Sequence, residues 1–366
     1  MISGWKNVHL SDCLTLGNGK SRPLSYGNIP VYGGNGILDY CGSYNYSDGT
    51  IIIGRVGAYC GSVYISYDKI WISDNALSAK PLKNNDIVFL YYYLLNMGLN
   101  QFSEGSSHPL LTHSLLYSLD ALIPELDEQR AIAAVLSSLD DKIDMLHRQN
   151  ATLEAMAEAL FRQWFVVGAK EEWEEKTIGD VVEIKGGSTP STKNPDYWNG
   201  NISWTSPKDL TGEQSIFIFS TERTISADGL AQISSGLLPK GTLLLSSRAP
   251  IGYLAITDIE LAINQGYIAI LNNSCISGYY MYLWCKYNME GIKAAGNGSV
   301  FQEISKSVFR QLPFLLPPKD ILSNFNSIIE SYFQKIHSNQ TQINILKKFR
   351  DTLLPKLMSG EIRVIL

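Results

Sequence analysis

The sequence lacks any apolar run that approaches the roughly 20 residues needed to cross a bilayer. Its start, Met1–Trp5, has no charged and apolar leader, so we expect a cytoplasmic protein without membrane contact. The five cysteines are widely spaced and form no Cys-x-x-Cys pair, which favours buried free thiols over a disulfide framework or a zinc site. The five histidines have no metal-site spacing, so we predict no bound metal.

An excess of positive charge is also absent. The net charge of -5 argues against a protein that binds nucleic acid by bulk attraction alone. The charges are unevenly distributed, because acidic residues crowd residues 120–144 and 171–175 while lysines and arginines are scattered over the remaining segments. Those segments can therefore still contact DNA while the acidic stretches face another partner.

No catalytic motif in the sequence is complete. Gly19–Ser21 resembles the end of a nucleotide-binding loop, but Leu14 occupies the position of the required earlier glycine. Asn194–Tyr197 resembles the Asn-Pro-Pro-Tyr loop of amino-methyltransferases, but Asp196 replaces the second proline and no glycine-rich cofactor loop accompanies it. Glu183–Lys185 resembles half of a nuclease motif without a properly separated metal ligand. We therefore predict a non-enzymatic chain with no catalytic residues.

The sequence contains an internal repeat, because segments of its first half align with segments of its second half. A shift of 193 residues aligns Leu111-Thr112 with Ile304-Ser305 and Leu122-Ile123-Pro124 with Leu315-Leu316-Pro317. The same shift aligns Gly105-Ser106 with Gly298-Ser299, and a shift of 168 aligns Trp5 with Trp173. A duplicated chain suggests a duplicated target.

Two long amphipathic helices are predicted, one after each globular segment. Their apolar positions step by four and three, which is typical of a coiled-coil seam. The first seam is Ile132, Leu136, Leu139, Ile143, Leu146, Asn150, Leu153, Ala157, Leu160 and Trp164. The second is Phe325, Ile329, Tyr332, Ile336, Asn339, Ile343, Leu346, Arg350 and Leu353. A helix of about 38 residues is about 57 Å long, so each helix is long enough to act as a spacer.

Each seam has one asparagine near its middle. If the helices run antiparallel with Asn150 opposite Asn339, the residue numbers of each facing pair add up to 489, and almost every layer is apolar. The exception places Leu139 against Arg350, whose aliphatic stem can cover the leucine. Our hypothesis is that the asparagine pair sets the register, because a slip would bury both amides in hydrocarbon. The alternative is that each asparagine lies at the seam edge and meets water.

The end of the second helix is predicted from Pro355. A proline inside a helix removes one backbone hydrogen bond, so we expect it to end or kink the helix. The following residues, 359–364, have the pattern of a short strand. By the repeat, this tail corresponds to the link into the second globular segment, so we expect it to pack on the first one.

Each globular segment has the pattern of mixed strands and helices. Strands are predicted at 50–53, 62–65, 242–245 and 267–270, and helices near 86–96 and 277–295. The second segment is longer at its front, since 68 residues separate Trp173 from Gly241 whereas 44 separate Trp5 from Gly49. The added residues are expected in loops, where binding specificity commonly resides.

These patterns predict an α+β protein with a pseudo-twofold internal repeat. Two mixed α/β domains are joined by two long helices that form an antiparallel coiled coil. The predicted boundaries are residues 1–124 for the first domain, 125–166 for the first spacer helix, 167–317 for the second domain, and 318–366 for the second spacer helix with the C-terminal tail.

Three motifs stand out along the chain, namely Leu122-Ile123-Pro124 with Glu128-Gln129, the helix end 159–165, and the terminal segment 349–364. Through these motifs the whole chain resembles the specificity subunit of a type I restriction-modification system. The segment from Gly187-Ser188-Thr189-Pro190 to Ile202-Ser203-Trp204 is similar to the opening of that family's target recognition domains. The chain departs from the pattern at Lys319-Asp320, where Glu-Gln is expected.

The resemblance implies a DNA-recognition subunit that reads a bipartite, asymmetric target in double-stranded DNA. It implies that two methyltransferase subunits dock on the coiled coil and that restriction subunits join for cleavage. S-adenosylmethionine, magnesium and ATP are then expected in the partner subunits, and no cofactor in this chain. The alternatives are a two-domain protein interaction scaffold without DNA binding, and a methyltransferase acting alone.

Eleven residues on polar loops are the predicted DNA contacts. In the first domain they are Lys20, Ser21, Arg22, Asn35 and Arg55, and in the second Ser188, Thr189, Lys193, Lys208, Arg248 and Gln302. Arg55 and Arg248 are predicted to occupy matching strand-to-loop positions, where the guanidinium fork suits phosphate or guanine. The alternative for each is a solvated surface group.

Overall fold

The computed structural model describes residues 4–105, 109–212, 215–248, 250–273, 275–297 and 302–364. Three positions used to align the two halves, Ser106, Gly298 and Ser299, lie outside these ranges. The chain divides into two compact units, the first made of Met1–Asp144 with Asn344–Leu366 and the second of Met145–Ile343. Each unit therefore contains a globular part and a portion of each long helix.

The described residues of the first unit form three sheets. Its strands are β1 (Lys6–His9), β2 (Leu14–Asn18), β3 (Ile29–Gly33), β4 (Gly36–Cys41), β5 (Thr50–Gly54), β6 (Val63–Ser66), β7 (Trp71–Ile72), β8 (Ala76–Pro81) and β9 (Asp120–Ile123). A four-stranded antiparallel sheet has the order β2-β8-β5-β6, and a smaller sheet has the order β4-β3-β7, with β3 and β7 parallel. Strands β1 and β9 form a separate antiparallel pair.

The helices α1 (Ile87–Met97), α2 (His113–Ser118) and the long α3 (Leu126–Arg162) begin in this unit. Asp86 caps α1 by accepting hydrogen bonds from the backbone N–H groups of Val88 and Phe89, each at 2.9 Å. Gly98, with φ of 61°, ends α1 in the left-handed conformation. Both ends of α1 are thus specified locally.

The central strand β5 is buried on both faces. Ile51 and Ile53 belong to the main core, together with Phe89 of α1. Ile52 points the other way, into a second cluster with Ile72. Because successive side chains of a strand alternate between faces, the continuous run of isoleucines indicates a strand covered on both sides.

The second unit repeats the first with additions. Its strands are β10 (Glu174–Thr177), β11 (Glu183–Gly186), β12 (Trp198–Thr205), β13 (Phe217–Ile218), β14 (Arg223–Ile225), β15 (Leu243–Ser246), β16 (Leu254–Thr257), β17 (Ala262–Ile263), β18 (Tyr267–Leu271) and β19 (Pro313–Leu316). Its helices are α4 (Ile178–Val181), α5 (Ala227–Leu230), α6 (Gly278–Tyr287), α7 (Met289–Ala294), α8 (Lys306–Arg310) and the long α9 (Lys319–Met358).

The sheet topology confirms the internal repeat. The order β11-β18-β15-β16 matches β2-β8-β5-β6, the order β14-β12-β17 matches β4-β3-β7, and the pair β10-β19 matches β1-β9. In both small sheets the strand corresponding to β7 runs parallel to the middle strand. Strand β13 extends the larger sheet of the second unit, and β13, β14 and α5 lie in the region where the sequence is longer.

The predicted strands agree with β5, β6, β15 and β18 within one residue at each end. The predicted helix near 86–96 agrees with α1, but the one near 277–295 is divided, since α6 ends at Tyr287 and α7 begins at Met289. None of the helices in the described ranges combines the length and apolar character that a membrane span requires.

Of the two outcomes predicted for Pro355, an end of the helix at that residue is wrong, and a kink stays a prediction. Pro355 lies inside α9, which continues to Met358. The Ser359 N–H donates to the Pro355 carbonyl at 3.0 Å, and Gly360, with φ of 71°, lies in the turn that follows. The loss of one hydrogen bond in the last turn is tolerated there because terminal carbonyls are open to water or capping groups.

The tail is also different from the prediction, because residues 359–364 form turns and not a strand. They nevertheless pack on the first unit, as expected. Arg363 Nε and Nη2 donate to Glu128 Oε1 and Oε2 at 2.9 and 2.7 Å, and Val364 packs against the main core.

Candidate nucleic-acid interface

The long helices run antiparallel inside each unit, which confirms the predicted orientation. In the second unit, Asn150 contacts Asn339, and Trp164 contacts Phe325 with ring centroids 5.7 Å apart. Both pairs fit the predicted layers. In the first unit, Arg350 contacts α3, but its Nη1 donates to Asp140 Oδ1 at 2.6 Å. The Arg350 guanidinium therefore binds the carboxylate of Asp140, which is adjacent in sequence to Leu139, the residue that Arg350 was predicted to face.

The asparagine pair is asymmetric. Asn339 is fully buried, whereas Asn150 is half-buried. Asn339 Nδ2 donates to Asn150 Oδ1 at 2.9 Å and lies 3.3 Å from Gln149 Oε1. A buried amide that donates to Asn150 and Gln149 disfavours a shifted pairing, because a slip would remove it from these acceptors. The role of this pair in setting the register stays a prediction.

In the first unit, Lys20, Ser21 and Arg22 follow β2 on an exposed segment. The Lys20 N–H donates to the Ile72 carbonyl at 3.0 Å. Gly19 permits this contact, because a Cβ there would lie 1.7 Å from the Ser73 carbonyl oxygen. The Lys20 backbone is therefore fixed while its side chain remains exposed.

Arg22 and Asn35 have different surroundings. The Arg22 guanidinium forms an ion pair with Asp39 of β4, so its charge is partly compensated. Asn35 lies exposed in the turn between β3 and β4. The backbone of this turn is fixed by a hydrogen bond that the Ser62 hydroxyl donates to the Gly34 carbonyl.

In the second unit, Ser188 and Thr189 occupy the matching exit from β11. The Ser188 N–H donates to the Ile263 carbonyl at 3.1 Å, and a Cβ on Gly187 would lie 1.8 Å from that carbonyl oxygen. The same close approach therefore occurs at Gly19 and Gly187. Thr189 Oγ1 donates to Gln265 Oε1 at 2.6 Å, and Ser188 Oγ donates to the Gln232 carbonyl at 3.0 Å.

The loop 264–266 lies beside two of the predicted residues of this unit, Thr189 and Lys208. Thr189 bonds to it directly. Lys208 lies exposed in the 3-10 turn Pro207–Leu210, whose proline would be 2.9 Å from a Cβ on Gly266. The Ser247 N–H donates to the Gly266 carbonyl at 2.8 Å, so the backbone that precedes Arg248 also contacts this loop.

The remaining two predicted residues of this unit are also exposed. Gln302 precedes Glu303, whose backbone forms a bridge with Arg248. Lys193 lies in the turn 191–194, apart from loop 264–266.

The predicted equivalence of Arg55 and Arg248 is wrong by one residue. In each unit, the residue after a central strand donates one backbone hydrogen bond and accepts another. In the first unit Arg55 bonds in this way to Asn75 and Leu111, and in the second unit Ser247 bonds to Gly266 and Ile304, all at 2.8–3.0 Å. The isolated bridges Val56 to Leu110 and Arg248 to Glu303 show the same offset. Arg55 thus matches Ser247, and Val56 matches Arg248.

Because of this one-residue offset, the two arginine side chains have different surroundings, since adjacent residues of an extended segment point to opposite sides. Arg55 Nε is buried and has no hydrogen-bond partner within the described part of the chain. The Arg248 side chain is 37% exposed, and its Nη1 lies 3.8 Å from Glu303 Oε2. Arg248 is accessible to a ligand that can compete with this weak ion pair.

A stacked arginine was missed by the sequence reasoning. The Arg223 guanidinium lies 3.6 Å from the ring centroid of Trp198 and 5.1 Å from that of Trp204. Trp204 Nε1 in turn points to the Ser188 carbonyl at 3.4 Å, so this cluster adjoins the predicted polar loop. The sequence feature that could have identified this cluster is the pair Trp198 and Trp204, together with an arginine in the segment where the second unit is longer.

The incomplete catalytic motifs have structural explanations. Lys20 lies on an extended segment and not at a helix start. Asn194 Oδ1 accepts from the Asp196 N–H at 3.1 Å, as expected for a turn-capping residue. Across the described residues, no group of three or more His, Cys, Asp or Glu side chains is placed to hold a metal ion.

Comparison with known proteins gives a consistent assignment. A family model described as "Type I restriction modification DNA specificity domain" matches residues 2–155 and 170–348. The chain is 35% identical over 193 residues to the type I restriction enzyme MjaIX specificity subunit of Methanocaldococcus jannaschii, covering 52% of this chain and 45% of that protein. It is 24% identical over 358 residues to the HindI specificity subunit of Haemophilus influenzae, covering 75% and 77%.

A solved structure has the same fold. The crystal structure of a type I restriction-modification system S subunit from M. genitalium superimposes with a TM-score of 0.64 at 18% sequence identity, covering 96% of each chain. The two-unit arrangement of sheets and long helices is therefore shared with a chain of very different sequence.

Proposed function

This chain belongs to the type I restriction-modification DNA specificity family, and we propose that it reads an asymmetric DNA target in two parts, one part for each unit. The observation that carries the proposal is the duplicated recognition fold. Both family-matched ranges contain the same three sheets, and in both the exposed polar residues follow the close glycine contact at Gly19 or Gly187. Two non-identical loops on one repeated scaffold suit two different half-sites.

The chemistry of these loops supports DNA as the ligand. Lysine and arginine side chains contact phosphate, whereas serine, threonine, asparagine and glutamine can read base edges. Both kinds are present in each unit, at Lys20 and Asn35 in the first and at Lys208 and Thr189 in the second. With a net charge of -5, binding depends on these local groups and on partner subunits.

The partners follow from the repeat and from the family. Two methyltransferase subunits dock on the helical pair, one for each repeat, and restriction subunits join the complex for cleavage. The chain itself performs no chemistry, and S-adenosylmethionine, magnesium and ATP bind to the partner subunits. The half-sites lie about one DNA turn apart, centre to centre, on one face of the duplex.

Genome-wide mapping of methylated adenine tests this function. Single-molecule sequencing of the source strain is compared with a strain lacking this gene. We expect one motif of two specified parts with a fixed gap, and we expect its methylation to disappear in the deletion strain. Unchanged methylation at every motif in the deletion strain would contradict the proposal.

Salt dependence separates DNA recognition from an interaction scaffold. In the complex assembled with its methyltransferase subunits, affinity for a target duplex should fall steeply as salt rises, because phosphate contacts release counterions. The control is the methyltransferase subunits without this chain. If the chain adds neither affinity nor a salt-dependent component, the scaffold function is correct.

A further inference from the structure

Helix α1 is attached to the long helices at two polar points. The first is Gln129 of α3, which is 1% exposed. Its Oε1 accepts from the Asp86 N–H, the cap of α1, at 2.8 Å, and its Nε2 donates to the Pro124 carbonyl at 2.9 Å. Gln129 therefore fixes the start of α1 to the start of α3.

The second point lies farther along both helices. The Tyr92 hydroxyl of α1 donates to Asp140 Oδ2 of α3 at 2.5 Å, and Arg350 Nη1 of α9 donates to Asp140 Oδ1 at 2.6 Å. Eleven residues separate Gln129 from Asp140, which is about three helical turns and about 16 Å along one face of α3. One carboxylate thus joins α1, α3 and α9.

The second unit has the same kind of attachment built from different residues. The Ser277 hydroxyl, the cap of α6, donates to Asn326 Oδ1 of α9 at 2.7 Å. The Tyr282 hydroxyl of α6 donates to Glu154 Oε1 of α3 at 2.6 Å, and Lys286 pairs with the same carboxylate. In both units a helix cap and a tyrosine on that helix are bonded to the long helices.

The two polar contacts fix the orientation of α1 on α3, which apolar packing alone does not determine. The surfaces of α1 and α3 share one hydrophobic core, and hydrophobic burial has no preferred direction. Hydrogen bonds are directional, so two of them at separate points determine both the position and the angle of α1 on α3.

The tyrosines are suited to this role. Tyr92 and Tyr282 are 2% and 5% exposed. Burial, reinforced by the neighbouring carboxylates Asp140 and Glu154, raises the pKa of both tyrosines, so each remains a protonated donor at neutral pH.

We propose that Tyr92 with Asp140, and Tyr282 with Glu154, are positioning residues that hold each recognition surface at a fixed angle on the long helices and thereby determine which gap between half-sites is accepted. This inference rests on the proposed function. Helix length sets the coarse separation, and the tyrosine–carboxylate contacts exclude neighbouring gap lengths.

The test compares Tyr92→Phe with Tyr93→Phe in the complex assembled with methyltransferase subunits. Tyr93 is the next residue of α1 and is also buried, but its hydroxyl accepts from the Leu122 N–H at 2.9 Å, inside the globular part. Methylation rates are measured on duplexes with the natural gap and with one base pair added or removed. Tyr92→Phe should lower the preference for the natural gap about fivefold, as expected for the loss of one hydrogen bond, whereas Tyr93→Phe should leave it unchanged.

Two outcomes would overturn the inference. One is an unchanged gap preference in Tyr92→Phe, and the other is an equal loss of rate on all three duplexes, which marks a purely structural role. If Tyr92→Phe unfolds, the same comparison uses Tyr282→Phe with Tyr280→Phe as control, since Tyr280 is a buried tyrosine of the same helix α6. If the wild-type complex shows no gap preference at all, the proposed bipartite reading itself fails.

Discussion

At the scale of single residues, a shift of one position changes what a side chain can contact. Arg55 and Arg248 align by the sequence repeat, yet their backbone hydrogen bonds differ by one residue. Sequence alignment places residues on the same strand end, but an extended backbone presents alternate residues to opposite sides. Candidate contacts read from a repeat therefore need the hydrogen-bond register before they can be compared.

Replacing Arg248 should reveal what it contacts. Arg248→Ala should weaken DNA binding by the assembled complex by about 1–3 kcal/mol at a single base position if the arginine reads a base. A phosphate contact would weaken binding equally for all sequences and reduce the salt dependence. Affinities for the target and for single-base variants distinguish these cases. Arg130→Ala, an exposed arginine on α3, serves as the control, and an effect no larger than the control's removes Arg248 from the interface.

At the scale of elements, the long helices were the most predictable part of the fold. A sustained seam with a four-three spacing specifies a helix and its partner face from local sequence alone. The seam omitted Phe161 and Phe165, which are buried against Tyr280 and Phe325. Both rings pack on Phe325 of α9 and also on Tyr280 of α6, and the contact with α6 is one that no heptad pattern contains.

The asparagine pair gives a prediction at this scale. Asn150→Leu combined with Asn339→Leu should raise the unfolding midpoint, because a buried amide pair costs stability relative to leucine. The double-leucine variant should also allow the two long helices to pair in neighbouring registers. Cysteines introduced by Leu153→Cys and Ile336→Cys, in a Cys275→Ser background, report the register through disulfide yield. An undiminished yield in the double-leucine variant would show that the asparagines do not set the register.

At the scale of the whole molecule, the first unit is built from both ends of the chain. Arg363 from the tail binds Glu128 at the start of α3, and a Cβ on Gly4 would lie 3.9 Å from the same arginine. Glu128 is 5% exposed, so its charge needs a partner. The hydrogen bond from Arg363 holds the pKa of Glu128 below its usual value of 4.5.

Removing the tail arginine should therefore destabilise the first unit in a pH-dependent way. Arg363→Ala should lower the free energy of unfolding at neutral pH, because it leaves the buried Glu128 carboxylate without this partner. Because the pKa of Glu128 is lowered in the folded state, this stabilisation is present above pH 4.5 and is lost as pH falls through the lower, folded value. Denaturant unfolding of both proteins between pH 3 and pH 7 measures the difference. Lys356→Ala removes an exposed pair with Glu361 and should change little, and an equal, pH-independent loss in both variants would contradict the assignment.

The sequence by itself determined the duplication, the two helices with their antiparallel pairing, the main strands and the family, because each is encoded by local periodicity or by motifs in the chain. It could not determine how loops meet. The contact of Thr189 with Gln265, the stacking of Arg223 on Trp198 and the attachment of Tyr92 to Asp140 join residues far apart in sequence. Such contacts depend on strand register and helix packing, so only the tertiary structure decided them.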